Sequence, residues 1–126
     1  MMVRRRDVLA AGLAVIGADF TLVGQQRDEM FGLIGKMSAV DGKRDELIAI
    51  LLAGSANMPG CLSYIVAKDN SDENAIWITE VWKNEASHAA SLALPGVKQA
   101  VTRGRPLIAG FGERVVTTPA GGQGLP

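Results

Sequence analysis

The chain has 126 residues and a mass of 13.3 kDa, the size of one compact domain. Hydrophobic residues make up 48% of it and charged residues 21%, which excludes global disorder and favours a buried core. The formal net charge is zero, which argues against nucleic-acid binding because such proteins carry basic surfaces. The lone cysteine, Cys61, excludes an internal disulfide, and the lone histidine, His88, argues against a zinc site made only of protein ligands.

Residues 1–18 predict a twin-arginine-like export signal. A basic head containing Arg5 and Arg6 precedes an uncharged, mostly apolar run at 8–18 that is too short to span a bilayer. We therefore expect a periplasmic or exported protein without stable membrane anchoring; the alternative is a cytoplasmic protein with a short core helix starting at Asp7. An intact amino terminus in a cytoplasmic fraction would contradict the export prediction. Removing this segment takes away three arginines and one aspartate, which leaves a net charge of −2 and further disfavours nucleic acid.

Composition divides the remainder into three parts. Residues 19–30 are mixed and polar and are interpreted as a linker. Residues 119–126 hold too much glycine and proline for a regular element, so a flexible tail is expected there. The domain is therefore predicted to span residues 31–118.

The hydrophobic pattern of this domain predicts alternating strands and helices. Strands are expected at 31–39, 61–67, 75–82 and 107–118, and helices at 43–53, 84–94 and 97–105. Asp41 and Asn84 are the expected caps of the first two helices, and Pro95-Gly96 is expected to break the second. The order βαββαβ predicts an α+β, ferredoxin-like sandwich, which is an antiparallel sheet with helices on one face.

The strand at 75–82 predicts a homodimer. Its apolar side chains occupy both alternating sets of positions, with Ile76, Ile78 and Trp82 on one face and Trp77 and Val81 on the other. A strand in a sheet with one solvent-exposed face would instead alternate polar and apolar residues. A second copy packed through the sheet faces is the simplest cover for the second face.

Several short motifs in this order resemble the antibiotic biosynthesis monooxygenase (ABM) domain family. They are Gly60-Cys-Leu-Ser-Tyr64, Asp69, Ile78-Thr-Glu-Val-Trp82, Glu85-Ala86 and His88. The resemblance covers about residues 31–118 and implies a dimeric α+β barrel with a pocket between the sheet and the helices of each subunit. Known activities in the family include cofactor-free oxygenases of polycyclic phenols and quinols, haem-degrading enzymes and a sugar isomerase. It therefore implies the fold more narrowly than the reaction.

The residues argue against the haem-degrading branch. That branch needs an axial histidine late in the second helical segment and a tryptophan shortly before it. Residues 91–93 and 98–101 supply neither residue type. The expected activity is thus that of a quinol-monooxygenase-like enzyme that oxidises a quinol or phenolic compound with dioxygen and without a cofactor.

Such an oxygenase needs a base, polar groups that hold the phenolate, and a dry cavity. His88 is the candidate base, since imidazole gains and loses a proton near neutral pH. Glu80, in an apolar strand, is a second candidate base or a partner that orients His88, and Tyr64 is the candidate donor to the oxyanion. The alternatives are a surface or capping His88 and a Glu80 that only pairs with Lys36 or Arg114 across the sheet.

Three further residues are predicted to contact the substrate. Trp82 and Trp77 could stack on a planar ring, and Lys36 could face a developing negative charge. The alternatives are that Trp82 belongs to the core and Trp77 to the dimer face. The alternative function is a non-catalytic stress or small-ligand-binding module on the same dimeric fold.

Overall fold

The computed structural model describes residues 29–126, so the predicted signal at 1–18 and nearly all of the predicted linker lie outside the described residues. The elements in chain order are β1 (Phe31–Ala39), α1 (Arg44–Gly54), β2 (Cys61–Lys68), β3 (Ala75–Trp82), α2 (Glu85–Ser91), α3 (Pro95–Gly104), a 3₁₀ turn (Arg105–Leu107) and β4 (Ile108–Thr117). Residues 118–126 form neither helix nor strand. No helix in the described part of the chain is long and apolar enough to cross a membrane.

The four strands form one antiparallel sheet in the order β2-β3-β1-β4. With the helices connecting β1 to β2 and β3 to β4, this is the ferredoxin-like α+β sandwich, and the fold prediction is confirmed. The register places Glu80 of β3 opposite Tyr64 of β2 on one side and Leu33 of β1 on the other. Because paired residues point to the same face of a sheet, Tyr64 and Glu80 project together.

The core lies between the helices and one face of the sheet. On β3 the residues at 76, 78 and 82 are buried, which is the period of two expected for a strand with one face against helices. Leu47 of α1 packs onto Ile76 and Ile78 from the helical layer, and Ile50 of the same helix is also buried. The alternate set on β3, beginning at Trp77, is only half-buried and faces away from the helices.

Two helix starts were predicted from capping residues, and one prediction is wrong. The side chain of Asn84 accepts a hydrogen bond from the Ser87 amide at 2.8 Å, so the predicted cap of α2 is confirmed. Asp41 does not cap α1. A turn at Gly42 (φ +78°) delays the helix to Arg44, and the Asp41 carboxylate accepts a hydrogen bond from Asn74 at 2.6 Å instead.

The predicted break at Pro95-Gly96 is also corrected. α2 ends earlier, at Ser91, and Pro95 is the first residue of α3. Proline suits the first helical position, because its missing N–H would have no partner inside the helix there. The same residue that cannot continue one helix therefore begins the next.

Two glycines allow close approaches that shape the space above the sheet. A Cβ at Gly54 would overlap the methyl group of Ala100, so glycine lets the end of α1 touch α3. Gly60 (φ +82°) turns the chain into β2, and a Cβ there would overlap the side chain of Ser87 on α2. Together these contacts hold the three helices over the sheet.

Candidate active site

A cavity of about 290 Å³ lies between the sheet and the helices. Its walls are mostly apolar and come from every helix and strand, with Met37, Leu47, Leu51, Met58, Val97, Ala100, Val101, Ile108 and Phe111 among the lining residues. Its polar lining includes Tyr64, Glu80 and His88. A mostly apolar cavity with a few converging polar groups is the usual form of a small-molecule site.

Glu80 is held in the cavity wall by a tryptophan. The indole N–H of Trp82 donates to the Glu80 Oε1 at 2.9 Å. Both residues project from the same face of β3 because they are two positions apart, and Trp82 is only 1% exposed. The predicted alternative pairing of Glu80 with Lys36 or Arg114 is not formed, since the ion pairs within the described residues are Lys43–Glu46 and Lys68–Asp45.

Tyr64 lies beside Glu80 in the register and lines the same cavity. Burial raises the pKa of the Tyr64 phenol far above its ordinary value, and the negative charge of Glu80 raises this pKa further. The hydroxyl therefore stays protonated and can donate a hydrogen bond throughout the neutral and moderately alkaline range. Burial also raises the pKa of the nearby Cys61 thiol, which donates to the Ser63 carbonyl at 3.5 Å and is thus a poor nucleophile.

His88 reaches the cavity from α2 and lies between two aromatic rings. Its ring centre is 5.3 Å from that of Phe31 and 5.5 Å from that of Trp82, the latter edge to face. These contacts restrict the plane of the imidazole. Trp82 therefore touches both His88 and Glu80, and it links two candidate groups that come from different elements.

The structure does not bring Lys36 and Trp77 to this cavity. They are strand partners on the opposite face of the sheet, where the Lys36 ammonium lies 5.5 Å from the Trp77 ring centre. The Trp77 indole N–H donates to Asp69 at 2.8 Å, and this hydrogen bond lowers the pKa of the Asp69 carboxyl. The physical reason is alternation, since odd and even positions of a strand face opposite sides.

Phe111 is the aromatic residue of the cavity that the sequence interpretation overlooked. It lies on β4 opposite Met37 of β1 and is 76% exposed although it lines the cavity. It is flanked in the sequence by Gly110 and Gly112. An aromatic residue between two glycines in the last predicted strand is the sequence signal that could have drawn attention to it.

The described residues contain no cluster of three His, Cys, Asp or Glu side chains placed to hold a metal ion. The groups available for chemistry in the cavity include a carboxylate, an imidazole, a neutral phenol and the guanidinium of Arg105. Such a set can accept a proton from a bound molecule and donate a hydrogen bond to the resulting anion.

The state of Tyr64 can be measured directly because it is the only tyrosine of the chain. The ordinary pKa of tyrosine is about 10. We expect the ionisation of Tyr64, followed by absorbance near 295 nm, to occur well above that pH. The pKa of Tyr64 is higher in the folded protein than in the unfolded chain. Its contribution to the free energy of unfolding is therefore fully present below the pKa of the unfolded chain and is lost as the pH rises through the pKa of the folded protein. Alkaline pH above about 10 should therefore destabilise the protein.

Glu80→Gln provides the matched variant for this titration. Removing the negative charge should move the Tyr64 midpoint downward, while burial, the larger cause, keeps it above the ordinary value. Glu85→Gln, an exposed carboxylate on α2, should leave the midpoint unchanged. A wild-type midpoint at the ordinary value in the folded protein would contradict this picture of the cavity.

Solved structures share this fold. A Chloroflexus aurantiacus protein provisionally named an antibiotic biosynthesis monooxygenase is 59% identical, covers 77% of this chain and 99% of its own, and superposes with a TM-score of 0.75. A Deinococcus radiodurans protein with the same provisional name is 28% identical over 73% of this chain and 94% of its own, with a TM-score of 0.62. SnoaB of Streptomyces nogalater, a cofactor-independent oxygenase, is 17% identical over 75% of this chain and 97% of its own, with a TM-score of 0.63, and this likeness concerns the fold alone.

Sequence comparison gives one curated relative and one family. A Synechocystis protein described as uncharacterized is 30% identical over 63 residues, which are 48% of this chain and 43% of that relative, so the match spans less than half of its length. The model of the antibiotic biosynthesis monooxygenase family matches residues 30–103, from the start of β1 to the end of α3. The predicted resemblance is thereby confirmed, and this chain belongs to the antibiotic biosynthesis monooxygenase family.

Proposed function

We propose that this protein is a cofactor-independent monooxygenase that oxidises a quinol or phenolic compound with dioxygen. The observation that carries the proposal is the meeting of Tyr64, Glu80 and His88 in one mostly apolar cavity, although they lie on β2, β3 and α2. Membership of the family supports the monooxygenase class. The name of the SnoaB neighbour supports chemistry without a cofactor.

His88 takes the phenolic proton of the bound substrate in this proposal. The resulting anion gives up an electron more readily than the neutral phenol does. Tyr64, kept neutral by its raised pKa, donates its O–H to the anionic oxygen. Glu80 is fixed in the cavity wall by the indole N–H of Trp82, whose ring also contacts the His88 imidazole.

The substrate supplies all the electrons of the reaction. Its anion passes one electron to dioxygen, and the two radicals join in a new carbon–oxygen bond. Loss of the proton on that carbon breaks the oxygen–oxygen bond, so that one oxygen stays as a carbonyl and the other leaves as water. One hydroquinone and one dioxygen thus give one hydroxyquinone and one water, and the apolar walls keep bulk water from the radical pair.

The test is oxygen consumption by the purified protein with a panel of mono-, bi- and tricyclic hydroquinones. We expect uptake of one dioxygen per substrate and, with ¹⁸O₂, one labelled oxygen atom in the product. Heat-denatured protein measures the autoxidation of each hydroquinone. Absence of uptake above this control across the panel would overturn the proposal, and tight binding without uptake would favour the small-ligand-binding module.

We also propose that the protein is a homodimer through the open faces of its sheets. That face carries Trp77 and Val81 and the more exposed Ile65 (54%) and Val115 (49%), which have no covering layer within the described residues. Removal of such an apolar face from water is the main favourable contribution to the association of most protein subunits. Sedimentation should give twice the mass of one chain for the wild type and a monomer for Ile65→Glu; a monomeric wild type would contradict it.

A further inference from the structure

Phe111 lines two cavities. A second cavity of about 310 Å³ lies beside the first, along β1, β3 and β4. Met37, Glu80 and Phe111 line both cavities. Since Met37 and Glu80 project from central strands of the sheet, Phe111, on the edge strand, is the part of this boundary with the most freedom to move.

The backbone around Phe111 also permits its ring to turn. The side chain is 76% exposed, so few contacts hold it in place. The β1–β4 pairing is irregular between the Arg114 and Phe111 partners, which leaves Gly112 and Glu113 outside the regular register.

The two cavities differ in what they offer a ligand. The first contains the candidate catalytic groups Tyr64 and His88 together with Arg105. The second has apolar lining from Leu33 and Ile78, and its charged lining residues besides the shared Glu80 are Lys36, Glu113 and Arg114. A molecule that entered both would place one end at the candidate base and the other near a guanidinium. Joining the cavities would roughly double the space available to a planar substrate.

We propose that Phe111 is a specificity-determining residue that separates the two cavities and so sets the length of the planar quinol that the site accepts. The inference rests on the proposed function and names a property of the same site. With the ring across the boundary, the first cavity holds a short aromatic molecule against Phe111. With the ring turned outward or removed, a longer fused-ring molecule extends toward Arg114.

The experiment compares the binding of two hydroquinones, methylhydroquinone (one ring) and anthrahydroquinone-2-sulfonate (three rings), without oxygen. Quenching of tryptophan fluorescence reports binding, because Trp82 lines the first cavity. Phe111→Ala should bind the one-ring probe about three- to tenfold more weakly, the range expected for one lost aromatic contact. The same variant should bind the three-ring probe more tightly, so that the ratio of the two dissociation constants shifts by about tenfold or more.

Two further variants sharpen the comparison. Phe111→Leu keeps an apolar partition but loses the aromatic ring, so the one-ring probe should weaken while the three-ring probe gains nothing. Val116→Ala changes a 54% exposed residue of the same strand that lines neither cavity, and both constants should stay as in the wild type. Since Phe111 is exposed, all three variants are expected to keep the wild-type fold, which circular dichroism checks.

The outcomes separate this inference from the function on which it rests. If Phe111→Ala weakens both probes equally or changes neither, Phe111 does not set substrate length, and oxygen uptake by the wild type would still uphold the proposed function. If the wild type binds neither hydroquinone, both the inference and the proposed substrate class are overturned. Opposite changes for the two probes cannot arise from a general loss of structure, which would weaken both.

Discussion

Replacing His88 by alanine is expected to lower hydroquinone turnover about 10²–10⁴-fold, the usual contribution of a general base. The reason is that deprotonation of the phenol precedes electron transfer to dioxygen in the proposed reaction. The side chain is half-buried between Phe31 and Trp82, so its loss also leaves a small gap in the cavity wall. Added imidazole that enters this gap should restore part of the rate, which a purely structural role would not allow.

The measurement is initial oxygen consumption at saturating hydroquinone, with unfolding temperature recorded for each variant. Glu85→Gln is the matched control, since it alters an exposed ionisable residue of the same helix outside the cavity. It should retain wild-type turnover. If His88→Ala turns over at the wild-type rate, His88 is not the base, and Glu80→Gln then tests the second candidate.

Leu47→Ala is expected to lower the free energy of unfolding by about 2–5 kcal/mol, the cost of removing a fully buried leucine side chain. Leu47 is 0% exposed and belongs to the core cluster with Ile76 and Ile78. It also packs against Gly104 at the end of α3, so the substitution leaves a void where α1, α3 and the sheet meet. For a domain of this size the melting temperature should fall by about 8 °C or more.

Leu52→Ala is the matched control on the same helix. Leu52 is 51% exposed, and alanine and leucine have similar helix propensities, so its unfolding free energy should change by less than about 0.5 kcal/mol. Chemical denaturation of both variants gives the comparison. Equal losses for the two substitutions would show that the helical layer does not cover the sheet as described.

The order and approximate bounds of the elements follow from local patterns in the sequence. The strand at Ala75–Trp82 was predicted residue for residue, because β-branched and aromatic side chains crowd into eight consecutive positions. Asn84 was identified as a cap because its effect is local, a hydrogen bond to an amide three residues later. The prediction that Asp41 caps α1 is wrong because its carboxylate instead accepts a hydrogen bond from Asn74, which is far away in the sequence.

The composition of the site was only partly predictable, because local patterns do not show which residues far apart in the chain come together. Tyr64, Glu80, Trp82 and His88 were singled out by motif, and all four line one cavity. Lys36 and Trp77 were singled out by residue type, but strand alternation places them on the opposite face. Sequence spacing tells which residues share a face, and it leaves open which face meets the helices.

The sequence by itself determined that this chain holds one mixed α+β domain with an apolar sheet, a candidate base and a candidate carboxylate. These properties depend on residue type and short-range periodicity, which a single chain displays directly. The tertiary structure decided that Trp82 binds Glu80, that burial suppresses ionisation of Tyr64, and that Phe111 lines two cavities. Each of these depends on residues far apart in the chain, and only strand register and helix packing bring them together.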